Sequence, residues 1–504
     1  MKKTLLILFS ILSIFSHAQT TLNWERSVPL AFNPVSQTSQ WADVAPDMQL
    51  PSGHIYVNIA SKKGWTQDLI FRKGVTHWTQ GAVEDEGGND AMRARFPTKM
   101  YNNVPRTEGM MGLYDAGPDA DGGGYNLKWW PNGPFNEQKA REVGQTRDIT
   151  PRLWIGENME GSSYMPYDKP MWGWFYEELI KRFENQKAQD GIPYYVAHNY
   201  YWLFGGVDGM PNPYSLGEAT AAQHKALYST DPSIWQPKTA FHNGNTLSKT
   251  NLVVLGVYMN VPDLTPDAVF ADLHRMEFIK KLGKSAGIFL FGVHEWRPNW
   301  GWGIRYPEGT LIRKDKLRLD PNFHMAYAFF AQEYGHVFVE WGVVPHQVAS
   351  KAPLDEYPGI MAGGDFWYPN GQTVAQPGFP HYGAYNAPNK FNFGGGDWSH
   401  WGTFLWQKTF GQVASGSPYY CKFRLNNGSW VEREANGADV VDAYFQKRGI
   451  VRCRISGNKI AIMYYNPYAD NTRRTIEIQD PVDPSRTYTT TVCGNGIHAT
   501  LINR

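Results

Sequence analysis

TPDAVFADLHRMEFIKKLGKSAGIFLFGVHEW, residues 265–296, holds two elements in one line. Thr265 is a capping residue, Pro266 suits the first helical position, and Val269, Leu273 and Met276 recur at helical spacing. A helix over 265–283 is predicted. AGIFLFGVHEW (286–296) then reads as a buried strand that ends abruptly in His294 and Glu295. Trp296, Arg297, Trp300 and Trp302 follow at once. A carboxylate at the end of an apolar strand, ringed by flat side chains, calls for a chemical explanation.

The same alternation extends in both directions. RLWIGENMEG (152–161) reads as a strand with polar residues at its end, and MWGWFYEELIKRFENQKAQDG (171–191) as a helix with Trp172, Phe175, Leu179 and Phe183 on one side and Gly191 as its stop. IPYYVAHNYYW (192–202) and NLVVLGVYMNVPD (251–263) are further strands. FHMAYAFFAQEYG (323–335) reads as a helix and HVFVEWGVV (336–344) as a strand. Earlier strands are weakly marked, at HIYVNIA (54–60) and MMGLYDAG (110–117). Repeated strand–helix units imply an α/β fold with a parallel sheet covered by helices. A (β/α)8 TIM-like barrel and an open doubly wound sheet both fit. No G-x-G-x-x-G follows the first strand and no P-loop occurs, whereas polar and acidic residues recur at the ends of several strands. That pattern favours the barrel, whose sites are assembled at the C-terminal ends of its strands.

The expected division is a signal peptide at 1–18, an irregular segment at 19–50, the barrel at 51–412, and a small C-terminal antiparallel β domain, sandwich-like, at 413–504. MKKTLLILFSILSIFSHAQ has two lysines, an apolar run and a Ser16-His17-Ala18 cleavage pattern, so the expected location is secreted or periplasmic. No later run is long and apolar enough to span a membrane. Cys421, Cys453 and Cys493 match no zinc spacing and are expected as buried thiols or one bridge. With 48 basic and 47 acidic residues, bulk charge points to no nucleic-acid partner. The 20 Trp, many in Gly/Pro/Asn-rich stretches, suit either a large core or a surface that stacks flat ligands. Oligomeric state is open.

If 152–160, 192–199, 251–260 and 287–295 are four consecutive barrel strands, their ends present Glu157, His198 with Asn199, Tyr258, and Glu295. Glycoside hydrolysis needs two carboxyl groups facing across the scissile bond, about 5–5.5 Å apart for retention and about 6.5–9.5 Å for inversion. Aromatic rings suit the flat C–H face of a sugar. This layout resembles the large clan of retaining (β/α)8 glycoside hydrolases over roughly residues 150–300. The resemblance implies an acid/base Glu at the end of strand four and a nucleophile Glu at the end of strand seven, which by strand counting are Glu157 and Glu295. The clan has Asn directly before its acid/base Glu; here the order is Gly156-Glu157-Asn158, which keeps Glu160 in play as the acid. His198, Asn199, Tyr258, His294, Trp296, Arg297, Trp300 and Trp302 are the expected substrate-binding residues.

The expected protein is thus an exported, endo-acting, retaining glycoside hydrolase of a polysaccharide or oligosaccharide, with no cofactor and no metal. A non-catalytic carbohydrate-binding protein and a polysaccharide lyase are the alternatives. A lone Glu at a strand end is usually a salt-bridge or cap residue, and Glu340 in VFVEWGVV is such a rival. Tyr258 has a core role as its alternative, and Trp172 and Trp174 read as helix packing. DAGPDADGGG (115–124) lacks the full spacing and closing Glu of a calcium loop and reads as a surface loop. Asp397, Trp398, His400 and Trp401 fit either a cleft loop or the start of the last barrel helix. No H-E-x-x-H, C-x-x-C or G-x-S-x-G occurs.

Overall fold

The computed structural model describes residues 18–22, 47–58, 71–72, 74–79, 100–101, 137–155, 170–197, 216–231, 249–257, 266–291, 321–341, 396–469, 472–492 and 496–504. After a first strand, β1 (Ala18–Thr21), come strands β2 (Ile55–Asn58), β3 (His77–Thr79), β4 (Met100–Tyr101), β5 (Leu153–Ile155), β6 (Tyr195–Ala197), β7 (Leu252–Val257), β8 (Ser285–Phe291) and β9 (Val337–Trp341). Helices α1 (Glu137–Thr146), α2 (Pro170–Asp190), α3 (Ala221–Ala226), α4 (Pro266–Lys281) and α5 (Pro321–Phe330) lie between them, and α6 (Gly396–Lys408) follows.

Strands β2 to β9 run parallel. Six form one sheet in the order β4-β3-β2-β9-β8-β7, and β5 pairs with β6 in a second. The last parallel strand therefore pairs with the first, Val337 opposite Ile55 and Glu340 opposite Asn58. Two further links bring in β5 and β6. Asn251, just before β7, donates its backbone N–H to Val196 O (3.1 Å), and its side chain accepts from Val196 N (2.7 Å). His77 in β3 donates from Nε2 to Pro151 O (2.6 Å), on the approach to β5. Among the described residues no ladder joins β4 to β5 or β6 to β7.

Side chains alternate across each strand, and the two faces have different neighbours. Ile55, Val57, Leu153, Ile155, Tyr195, Ala197, Leu252, Val254, Phe289, Val337 and Val339 form one buried cluster on the inner face. It draws on both sheets. Tyr195 also crosses from β6 to donate its hydroxyl to Gly53 O ahead of β2 (2.6 Å). The opposite face, with Tyr56, Val253, Leu255, Ile288, Leu290 and Phe338, packs under α4 and α5. Buried on both sides, these strands read as continuous apolar runs.

Strands β10 (Ser417–Tyr420), β11 (Phe423–Leu425), β12 (Ile450–Ser456), β13 (Lys459–Tyr465), β14 (Arg474–Gln479), β15 (Arg486–Val492) and β16 (Ile497–Asn503) make a sandwich of two four-stranded sheets. One has the order β10-β12-β13-β16, the other β1-β15-β14-β11. The second contains a strand from the far end of the chain. β1 lies parallel to β15 with Ala18 opposite Arg486, and Leu22 beyond it is buried in the sandwich core. Irregular structure was expected from residue 19; the segment instead opens as a strand, because β15 offers it an open edge. Alternation in β12 sends Val451 and Cys453 into the sandwich and Ile450, Arg452 and Arg454 toward the helices. Cys421 and Cys453 are buried free thiols, and Cys493 lies outside the described residues. A helix within this region, α7 (Gly437–Gln446), packs on α4 and α3.

Candidate functional site

The parallel strands have two ends, and they differ chemically. At the C-terminal end the described strands stop at Asn58, Thr79, Tyr101, Ile155, Ala197, Val257, Phe291 and Trp341. The expected residues Glu157, His198, Asn199, Tyr258, His294, Glu295, Trp296, Arg297, Trp300 and Trp302 all lie outside the described residues, as do Glu160 and the 115–124 loop. Glu340 is described, and it is not at the mouth. Val337 and Val339 point inside, so Glu340 takes the outer face of β9, buried, where the Tyr56 hydroxyl donates to its carboxylate. The 394–406 stretch resolves its two readings in favour of a helix, since α6 covers Gly396–Lys408, with His400 buried and Trp401 edge-on to Phe404. Trp172 and Trp174 lie within helix α2.

At the N-terminal end a buried polar network joins the sheet to the sandwich. Its parts come from the residues just before β2, β8 and β9, together with β10 and β12. Arg452 donates to Glu333 (2.9 Å) and Glu277 (2.9 Å), and Arg454 adds a second guanidinium on Glu333 (2.8 Å). Trp406 Nε1 also reaches Glu333 (3.3 Å). The Tyr420 hydroxyl donates to Glu277 (2.9 Å) and lies 2.9 Å from the Tyr334 hydroxyl. The Arg452 guanidinium sits 4.1 Å from the Tyr334 ring centroid, a cation–π contact that adds to its ion pairs.

Burial raises the Glu333 carboxyl, but Arg452 and Arg454 outweigh it and hold the group below the ordinary carboxylate range. His54 meets His336 and Trp406 in tilted ring contacts with centroids 4.4 Å from each, and its Nδ1 lies 3.0 Å from Gln332 Oε1. Burial, then the His336 charge, pushes His54 down to about 3. Burial, then Lys280, pushes His336 down to about 4.

Both histidines are therefore neutral near pH 7, and both carboxylates are held by guanidinium groups. That arrangement fixes two units of structure together. Sequence reading missed it. The available signal was Arg452 and Arg454 alternating with Val451, Cys453 and Ile455 in an otherwise apolar strand, which marks a sheet face meeting something polar and buried.

No protein-family model matches this chain, and comparison with curated proteins gives no match. Among solved structures it is similar to a GH30 endoxylanase from Clostridium papyrosolvens C71, with 8% identity, TM-score 0.31 and coverage of 91% of this chain and 98% of the other. It is similar to an alpha-amylase from H. orenii at 10% identity and TM-score 0.39, covering 90% of this chain and 100% of that one. A conserved exported protein from Bacteroides fragilis gives 8% identity and TM-score 0.37, with 91% and 99% covered. At these identities and scores neither the fold nor the chemistry of this chain rests on the likeness. Among the described residues no helix is long and apolar enough to cross a membrane.

Proposed function

We propose that the chain is an exported glycoside hydrolase built on a (β/α)8 barrel, with Glu157 as acid/base and Glu295 as nucleophile on a polysaccharide or oligosaccharide. One observation carries this reading. In chain order β5 is the fourth of the parallel strands and β8 the seventh, and their inward positions are odd-numbered: Leu153 and Ile155 in β5, Phe289 in β8. Continuing that alternation gives Glu157 and Glu295 the inward parity. Asn199 and Tyr258 share it, from Ala197 in β6 and from Leu252 and Val254 in β7. His198 and His294 take the other parity and suit support of their neighbours.

Strands four and seven face each other across an eight-stranded mouth, where opposed carboxylates can flank a glycosidic oxygen. Glu157 begins protonated and donates to the leaving oxygen while Glu295 attacks the anomeric carbon. Glu157, now ionised, takes a proton from the water that releases the sugar. Trp296, Trp300 and Trp302 cover the flat sugar faces, and Arg297 holds a polar substituent. Long aromatic segments beyond the strands favour an extended cleft and endo-action.

The test is reducing-sugar release from plant, algal and microbial polysaccharides by wild type, Glu157→Gln and Glu295→Gln, with circular dichroism showing that each variant folds. Loss of about 10²–10⁴-fold in each is expected. Undiminished activity in Glu295→Gln removes the assignment, and an ultraviolet-absorbing unsaturated product replaces hydrolysis by elimination. The lysine-led apolar N-terminus supports export. Intact mass of the released protein is expected to start at Gln19, and retention of residues 1–18 refutes the export reading.

A further inference from the structure

The hydrolase reading uses nothing at the N-terminal end of the sheet, yet a cleft of about 700 Å³ opens there between the end of α4, strand β10 and residues 433–436. About 300–1,000 Å³ is the range of small-molecule sites. Lys280, Lys281, Arg433 and Arg452 face it against only Glu277 and Glu434. Both carboxylates are engaged, Glu277 by Arg452 and Tyr420, Glu434 by Lys225 at 2.9 Å. The Arg433 guanidinium spends its bonds on backbone oxygens, those of Tyr420 (3.0 Å) and Pro481 (3.1 Å), and so keeps its charge.

Among the described residues Lys280 and Lys281 have no hydrogen bond and no ion pair; the Lys280 ammonium lies 5.7 Å from the Tyr334 ring centroid and feels the charges of Glu277 and Glu333, both already held by arginines. A helix C-terminus favours cations. That preference explains lysines there, but not the gathering of Lys280, Lys281, Arg433 and Arg452 around one cleft whose two carboxylates are already engaged. Part-buried cations held close together repel one another unless a further counter-charge joins them.

We propose that this cleft binds the oxyanion of a small ligand, with Lys280 and Lys281 as its charge partners and Arg433 beside them. The Tyr419 and Pro418 side chains offer apolar cover for whatever carries the oxyanion. Burial, then Arg452, pulls the Lys280 ammonium below its ordinary range, and a bound anion restores it, so binding takes up a proton at alkaline pH.

The experiment is calorimetric titration of the full chain with sodium glucuronate, sodium sulfate and uncharged glucose, all at one ionic strength set with chloride. Glucuronate and sulfate are expected to compete for one site, with glucose silent and affinity falling at least tenfold in Lys280→Met. Tighter glucuronate identifies a sugar acid as the better source of the oxyanion, and equal affinities identify a free inorganic one. Lys281→Met, a second lining position, guards against a Lys280 variant that fails to fold. Binding of neither anion, or affinities unchanged in both variants, overturns the proposal. Hydrolytic activity is not the readout, so the outcome is independent of Glu157 and Glu295.

Discussion

His336 occupies a left-handed backbone position, φ 74°, directly before β9, and its ring makes a tilted contact with His54. Both rings are held neutral by burial, His54 at about 3 and His336 at about 4 against an ordinary 6.5. The sign follows from proton counting. Below about pH 6.5 the unfolded chain protonates these histidines and the folded chain does not, so acid favours unfolding. Their contribution is complete above the unfolded value and is lost as pH falls toward 4 and then 3. His54, the more enclosed of the two, lowers stability by up to roughly 1.4 kcal/mol per pH unit across that window, and the solvent-exposed His336 contributes less. His336→Asn keeps a residue tolerant of the left-handed region and deletes one titration. The urea midpoint of this variant is expected to fall less between pH 6.5 and 4.5 than that of wild type, and parallel profiles contradict the assignment.

Helices α5 and α6 approach closely because Gly402 has no side chain. A Cβ there would lie 2.2 Å from Met325 O, in the backbone of α5. Gly402→Ala must spread the pair and is expected to cost about 1–3 kcal/mol, read as a lowered urea midpoint with an unchanged m-value. Gly335 is tighter still, with a Cβ position 1.6 Å from Ala286 O, which locks the turn before β9 onto the start of β8.

Elements of this kind divide into those a reader of the sequence could find and those hidden from it. α4 was legible because its signals are local: Pro266 begins it, and Val269, Leu273 and Met276 are all buried. The strands β5 to β9 were legible as apolar runs. β3 and β4, three and two residues long, are too short for any period to register, and 110–117, read as a strand, lies outside the described residues. The network at Arg452 was illegible for another reason, since Glu277 and Glu333 are 175 and 119 residues away in sequence. Glu157 and Glu295 were read as strand-end carboxylates from residue type and pattern alone, and both lie outside the described residues. Their separation is a tertiary quantity that neither string nor spacing contains.

At the scale of the molecule, the layers do not own separate cores. One buried cluster runs from Ile288 and Phe338 through Phe330 and Trp406 to Ile450, Met463 and Ala499 in the sandwich. β13 shows the consequence, with Ala461, Met463 and Tyr465 facing the helices and Ile460, Ile462 and Tyr464 facing the other sheet. Removing residues 414–504 exposes that surface. The truncated chain is expected to bind a hydrophobic dye and to lose the cooperative melt of the full chain. A soluble fragment with a sharp transition refutes a shared core.

Strand β1 adds a matter of timing. Ala18 to Thr21 are made long before their partners, Arg486 to Thr489. The entropy of closing so long a loop grows only with the logarithm of its length, so the pairing is thermodynamically inexpensive. Its order is nonetheless fixed: the ribosome must deliver β15 before β1 has anywhere to go. Until then β15 has a bare flank that any extended peptide could occupy. A strand made early thus acts as the closing piece of a sheet made late.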